Sequence, residues 1–394
     1  MIVRKITAGE NRRAEELFSV AFETPWQEEA YRTEKYAAFL DDNETMTSCL
    51  SVLPYSVNFD GVQVKMAGIG GVSSLPHYRR TGGIRGCFET MLPALYEEGY
   101  MMSMLYPFST NYYRKFGYET WARSVRHELE LSYIPSLPRE GQALLVDASN
   151  RESCLADVRL LTEEWGGRYN GMVKLTEREY AFVTEADPYK KQEFVYIYYD
   201  AGGEPAGYMV CRKEAMEQGQ RLVCSRFVFR SPAGIRGLLA LAKSFQADHR
   251  SIVFTLPSAV RIDPLIDEWS FGAVTRSDAS LGMVRIVNVQ EALKAAAYRG
   301  SGELSVELCD EQIAENNGVF WVRFEDGKAV SVERRARKEA LIRMEIPEFS
   351  RFLMGAVDVS ALAYSRRAAG YTQEKRALLE KIFYEKPCFL TEYF

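Results

Sequence analysis

The period of apolar and polar positions changes several times along the chain, and each change predicts an element. "MIVRKITA" alternates like a strand, whereas "GENRRAEELFSVAFE" carries Ala14, Leu17, Phe18 and Phe22 at helical spacing. "TSCLSVLPYSVNF" and "VQVKMAGIGGVSS" read as two β runs around Asp60-Gly61, a strong hairpin signal. The polar stretch "SLPHYRRTGGIRG" leads into a helix expected from Gly83 to Glu98 and ended near Gly99. Then come a short apolar strand in "MMSMLYPFS", a turn or helical segment in "TNYYRKFGYE" and a strand in "SVRHELELSYI".

The pattern loosens over "PSLPREGQALLVDASN", which sets a first boundary near residue 147. A second region opens with the helix "RESCLADVRLLTEEW" and continues with strands at "EFVYIYYD", "PAGYMVCRK" and "RLVCSRFVFRS". The helix that follows, in "SPAGIRGLLALAKSF", echoes the strand, turn and helix of the first region and suggests an internal duplication. A third region begins near Asn288 with "VQEALKAAAYRG". Its expected strands are "GELSVELCD", "GVFWVRFEDG" and "AVSVERR", and its later helices "PEFSRFLMGAVDVSALAYSRRAAG" and "TQEKRALLEKIFY". The reading is a mixed α/β, α+β chain with domains at 1–147, 148–287 and 288–394.

Composition narrows the classes. At 394 residues the chain exceeds one ordinary core, and 47% hydrophobic with 26% charged residues is globular. The net charge of −5 supplies no global field for nucleic acid or anionic membrane, and the short run "ERRARKEALIR" reads as a solvated face. Seven scattered cysteines without a CxxC pair, and only His77, His127 and His249, give no metal-ligand spacing. A reducing, cytoplasmic setting is the expectation, with no signal peptide and no membrane span.

The loop carries the chemistry. A P-loop requires Lys followed by Ser or Thr after its glycines, and a dinucleotide fingerprint requires glycine where "GIGGVS" has serine; both fail here. A short pyrophosphate loop remains, with amides from Arg80 to Arg85 at a helix start whose dipole adds roughly half a positive charge. The plainer alternative is an exposed turn. Gly68, Gly70 and Gly71 predict a bulged, splayed strand before it, leaving backbone groups of Val72, Ser73 and Ser74 for an amide-bearing ligand.

The order strand, R-x-x-G-x-I, helix, strand and downstream Tyr resembles the coenzyme A site of the GNAT superfamily of N-acetyltransferases. "VSSLPHYRRTGGIRGCFETML", "YYRKFGYE" and the ending "FYEKPCFLTEYF" resemble, more closely, the Eis family. That resemblance spans the chain and implies two tandem GNAT-like domains, the second without the pyrophosphate motif, followed by a sterol-carrier-protein-like domain. It implies acetyl-CoA contacts at Val72, Ser73, Ser74, Arg80, Thr81, Gly82, Gly83, Ile84, Arg85, Phe108 and Ser109. "STNYY" departs from the more glycine-rich approach of some relatives at the last two. The general acid falls on Tyr113, with Tyr112 as competitor, and the general base on the α-carboxylate of Phe394. A phenol of ordinary pKa near ~10 keeps its proton at neutral pH for a departing thiolate. An α-carboxylate of ordinary pKa near ~3.5 must be raised by its surroundings to act as a base.

The resulting expectation is an acetyl-CoA-dependent N-acetyltransferase that uses direct attack in a ternary complex and no metal. Its acceptor would be an aminoglycoside-like, polyamine-like or lysine-type primary amine. Glu23 and Glu392 would suit the cation, with Trp26 as a wall. A homo-oligomer, with a hexamer as one form, is also implied. The alternative is a non-catalytic coenzyme A- or lipid-binding protein with a vestigial acetyltransferase domain.

Overall fold

The computed structural model describes residues 1–23, 33–41, 44–122, 124–137, 140–266, 274–279, 282–335 and 340–393. The chain divides into two units, Met1–Ala122 with Leu281–Lys386 and Glu392–Phe394, and Arg123–Ser280 with Pro387–Thr391.

In the first unit the chain order is β1 (Ile2–Lys5), α1 (Asn11–Phe22), β2 (Glu34–Phe39), β3 (Met46–Phe59), β4 (Val62–Ser74), α2 (Gly83–Glu97), β5 (Met102–Leu105), α3 (Thr110–Arg114) and β6 (Glu119–Thr120). Asp60 (φ 51°) and Gly61 (φ 84°) close the β3–β4 hairpin in the left-handed conformations that a tight turn of this kind requires. Across α2, Ile84, Cys87, Phe88, Met91, Leu92 and Leu95 recur at helical spacing, and all six are buried with Leu50, Val52 and Ile69 of the sheet. Burying side chains of this size stabilises by roughly 1.5–3 kcal/mol each, which fixes α2 on the sheet far more firmly than its helix propensity could.

The strand order of this sheet is β1-β2-β3-β4-β5, then Met283–Ile286, then β6. Met283–Ile286 pairs antiparallel with both β5 and β6. Ser124–Glu130, which follows β6 in the chain, instead pairs in the second unit, with Ser251–Pro257 and Val274–Asp278. Nothing in the periodicity of either segment says which sheet takes it.

A further sheet in the first unit orders Lys328–Arg335, Gly318–Glu325, Gly302–Cys309, Ile342–Glu345 and Ala368–Ala369. A buried polar seam joins it to the first sheet. Arg285 Nη2 donates to both Asp310 oxygens at 2.8 Å, and both side chains are fully buried. Asn316 Nδ2 donates to Asp310 (2.8 Å) and to the Val287 carbonyl (2.9 Å), and the Ile286 amide donates to Ser350 Oγ (2.8 Å). A buried pair of this kind is strongly destabilising to break, because the survivor is left charged and unsolvated.

One expected helix is broken. "PEFSRFLMGAVDVSALAYSRRAAG" forms a helix only over Ile346–Leu353, then a 3-10 turn over Val359–Tyr364 and a short strand at Ala368–Ala369. Gly355, at φ 79°, turns the chain where a Cβ would meet Lys386 Cβ at 2.4 Å, and Asp358 caps the turn by accepting from the Ala361 amide at 3.1 Å.

In the second unit the sheet order is Val274–Asp278, Ser124–Glu130, Ser251–Pro257, Gln220–Phe229, Pro205–Ala215, Glu193–Tyr199 and Gln142–Leu145. Helix Pro232–Lys243 follows Gln220–Phe229, as α2 follows β4. The segment Pro387–Thr391 lies along Asn170, whose amide donates to the Pro387 carbonyl (2.8 Å) and whose carbonyl accepts from the Phe389 amide (3.1 Å).

Candidate active site

Strand β4 changes partners midway. It pairs parallel with β5 only from Met66 to Ile69, while on its other side it pairs with β3 as far as Ser74. A bulge between the Ser51–Gly70 and Cys49–Ser73 pairs sets one extra β4 residue against β3, with Gly71 at φ 61°. Phe18 lies 2.9 Å from where a Gly71 Cβ would be. Beyond Ile69, the β4 edge that faces away from β3 pairs with no strand among the described residues. The sheet therefore opens at the Val72–Ser74 end.

The loop beyond that opening prepares a helix start without sealing it. Thr81 Oγ1 donates to the Tyr78 carbonyl (2.8 Å), Arg80 takes a left-handed φ of 67°, and Gly82 forms the N-cap at φ 94° without a capping side chain. A non-glycine residue held left-handed is uncommon, and such strain concentrates at ligand clamps. The first backbone bond of α2 runs from the Gly86 amide to the Gly82 carbonyl (3.0 Å). Among the described residues the amides of Gly83, Ile84 and Arg85 donate to nothing. Gly83 is required for packing: its Cβ would stand 2.3 Å from Ser48 Oγ and 3.3 Å from Ala38 Cβ.

A cleft of about 900 Å³ lies over these amides. Its walls include Val72, Ser73 and Ser74, the loop from Arg79 to Arg85, and Phe108. Ala21 and Phe22 of α1, with Tyr78, Tyr112, Lys115 and Phe116, complete it. Arg79, Arg80, Arg85 and Lys115 are cations, and among the described residues no carboxylate lines the cleft. Unpaired helix-start amides, four cations and an open strand edge fit a long, anionic, amide-bearing molecule such as acetyl-CoA. The sequence does not single out Phe22, which reads as part of an amphipathic helix, or Lys115, which lies among the tyrosines of "YYRKFGY".

The other expected residues lie in different settings. Ser109 is the N-cap of α3, its Oγ accepting from the Tyr112 amide at 3.3 Å, and is not a wall of the cleft. Tyr112 lines the cleft; Tyr113 is 2% exposed, its ring packed edge-on against Phe88, Phe108 and Tyr112 at 5.2–5.9 Å. Burial pushes the Tyr113 phenol well above its ordinary value, with Tyr112, Tyr118 and Tyr393 adding to the rise. No residue among those described hydrogen-bonds its hydroxyl. Neighbouring Tyr118 is tied down, its hydroxyl 2.7 Å from Ser103 Oγ, and burial pushes it up to about 12.

Glu23 follows α1 directly at φ 54° and is exposed beside Phe22. Glu392 is half-buried, and its carboxylate adds to the burial that raises the Tyr106 phenol. Tyr393 stacks on Tyr106 with centroids 4.5 Å apart, and Tyr106 immediately follows the end of β5. Trp26 and Phe394 lie outside the described residues. Among the described residues no cluster of His, Cys, Asp and Glu could hold a metal ion, and no helix is long and apolar enough to cross a membrane.

Comparison with known proteins agrees with this geometry. Residues 2–121 match the acetyltransferase (GNAT) domain, and residues 289–391 match the sterol carrier protein domain. The chain carries a GNAT acetyltransferase domain over residues 2–121. Its fold, mixed α/β with a second GNAT-like sheet and a sterol-carrier-like end, is shared over its whole length with solved structures. A "Probable N-Acyltransferase" from Enterococcus faecalis is 24% identical, with 100% of this chain and 99% of that chain covered and a TM-score of 0.86. A GCN5-related N-acetyltransferase from Anabaena variabilis is 20% identical, with full coverage of both chains and a TM-score of 0.86. Eis1 from Mycobacterium abscessus is 18% identical, again with full coverage of both, at a TM-score of 0.82, so the fold of this chain is Eis-like. No match was found among curated proteins.

Proposed function

We propose that this acetyltransferase moves an acetyl group from acetyl-CoA to a primary amine by direct attack in a ternary complex. The observation that carries the reading is the parting of β4 from β5 after Ile69, next to a helix start whose first amides have no acceptor among the described residues. Acetyl-CoA, when bound, supplies an activated thioester carbonyl. The amides from Thr81 to Arg85, with Arg79 and Arg80, hold its pyrophosphate. The free edge at Val72–Ser74 pairs with its amide-bearing arm as a further strand would. An amide of Val72 or Ser73 donates to the carbonyl oxygen as negative charge grows there.

Tyr113 keeps its proton at neutral pH, because burial raises its phenol, and gives it to the departing sulfur. Tyr112, which lines the cleft, is the competitor for that role. For the base, the proposal retains the carboxylate of residue 394, which the Eis resemblance assigns. The acceptor is an aminoglycoside-like, polyamine-like or lysine-type amine, with Glu23, Trp26 and Glu392 offered as its surroundings.

The experiment is a thiol-release screen with acetyl-CoA and these amine classes, read with a thiol reagent and by mass of the product. Release that depends on a primary amine and yields the acetylated amine is expected. Release that no amine accelerates would overturn the acceptor assignment.

A further inference from the structure

The candidate acid stands on a helix too short to hold itself. Helix α3 has five residues, whereas isolated helices shorter than roughly 12 residues are marginal in water. Its N-terminal end is capped by Ser109. At its other end Arg114, the residue after Tyr113, donates to the Glu119 carboxylate through Nε (2.9 and 3.1 Å) and Nη2 (2.7 Å). Glu119 is only 2% exposed and has further donors: the Thr120 amide at 3.0 Å and, from 248 residues later in the chain, Arg367 Nη1 at 3.0 Å. Arg367 is itself held at the edge of the C-terminal sheet. Its backbone carbonyl accepts from the Glu345 amide (2.8 Å), and its Nε lies 3.4 Å from the Glu345 carboxylate.

From this chain of contacts we infer that Arg367 is a positioning residue for acetyl transfer: through Glu119 and Arg114 it fixes the orientation of α3 and hence of Tyr113. The sterol-carrier-like region thereby serves the acetylation site as a brace, without touching either substrate. Burial disfavours an ionised Glu119, and the Arg114 guanidinium, the Thr120 amide and the charge of Arg351 must outweigh it before the carboxyl titrates below its ordinary value, as it does. With Arg367 removed, the buried carboxylate keeps Arg114 but loses the donor that anchors it to the C-terminal sheet. Arg114 and Glu119 then move as a pair with α3.

The inference rests on Tyr113 as the acid, and the test separates the two. Arg367→Ala, Arg367→Lys, Tyr113→Phe and the exposed control Arg323→Ala are compared in the full chain. The readouts are kcat, KM for acetyl-CoA, the kcat–pH profile and amide exchange of the segment Thr110–Phe116. Arg367→Ala is expected to lower kcat about tenfold with KM for acetyl-CoA within about twofold of the parent, to shift the alkaline limb of the profile and to speed exchange over Thr110–Phe116. Arg367→Lys, which keeps one charged donor, recovers most of both, and Arg323→Ala changes neither. Unchanged kcat and unchanged exchange in Arg367→Ala, alongside an impaired Tyr113→Phe, would overturn the brace and leave the acid assignment standing. Full activity in Tyr113→Phe would overturn the acid assignment, and faster exchange in Arg367→Ala would then still establish the mechanical link. If Arg367→Ala fails to fold, the Lys variant decides: parent-like pH profile and exchange support the brace, and a tenfold loss of kcat with unaltered exchange refutes it.

Discussion

Two stretches of the chain read almost alike and do different things. Gly83-Ile84-Arg85-Gly86 opens α2, and Gly234-Ile235-Arg236-Gly237 lies in the first turns of helix Pro232–Lys243. In both the glycines permit close packing: a Cβ at Gly83 would meet Ser48 Oγ at 2.3 Å, at Gly234 the Ala206 carbonyl oxygen at 2.0 Å, and at Gly237 the Tyr198 ring at 2.1 Å. Both isoleucines are buried and both arginines exposed. The difference lies one step earlier. Ahead of α2 stands Gly82, left-handed and without a capping side chain; ahead of the second helix stands Ser231, whose Oγ accepts from the Gly234 amide at 3.2 Å, then Pro232, which has no amide to offer. The four shared residues thus specify how a helix docks on a sheet, and the residues before them decide whether its first amides are left for a ligand.

The strands behind the two helices repeat the contrast. Parallel pairing stops after Ile69–Leu105 in the first unit and after Val223–Val253 in the second. Past the first break is the cleft. Past the second, Phe227 stacks on Phe254 with centroids 4.5 Å apart.

The comparison can be broken most forcefully at the chemistry that only the first region is proposed to carry. Tyr113→Phe keeps the ring packing and removes the proton, so turnover should fall about 10²–10⁴-fold with little change in melting temperature, measured by thiol release and calorimetry. Tyr112→Phe should be milder. Next in size, Gly82→Val adds a side chain at φ 94° where nothing lies within 4 Å of its Cβ. Its bulk would project over the loop amides. Coenzyme A affinity should drop about 10–100-fold, against a strain cost of about 1–2 kcal/mol in stability.

Smaller effects sharpen the account. Glu119 titrates below its ordinary value in the folded chain, so its contribution to stability is present above that ordinary value and is lost as pH falls through the folded pKa. Glu119→Gln should therefore cost about 2 kcal/mol at pH 7, less than for a fully buried pair because Arg114 and Arg367 are one-third exposed, and the gap from the parent should close on acidification. Denaturant titrations at pH 7 and pH 4 would check it. Ser231→Ala should cost about 1 kcal/mol through the lost cap, with coenzyme A affinity unchanged.

Much of this was legible in the residues, for identifiable reasons. The hairpin at Asp60-Gly61, the bulge among Gly68–Gly71 and the start of α2 each rest on glycine or turn chemistry that acts over a few residues. The exchange of Met283–Ile286 into the first sheet was not legible, since its partners lie more than 160 positions away and four residues that include Arg285 carry no periodicity to choose a sheet. Nor was the tie from Arg367 to Glu119, because a charged residue in "YSRRAAG" looks like any solvated arginine until the fold brings a buried carboxylate to it. Phe22 was missed for the converse reason. Its spacing groups it with the core face of α1, yet it is half exposed and lines the cleft.

The central claim is that one of the two similar loops binds and the other only packs. Isothermal titration of the full chain with coenzyme A tests it most directly, run on the parent, Gly82→Val and Arg236→Ala. The account predicts one site per chain in the parent, severely weakened by Gly82→Val and unaltered by Arg236→Ala. Two sites per chain, or binding that survives Gly82→Val and disappears with Arg236→Ala, would contradict it.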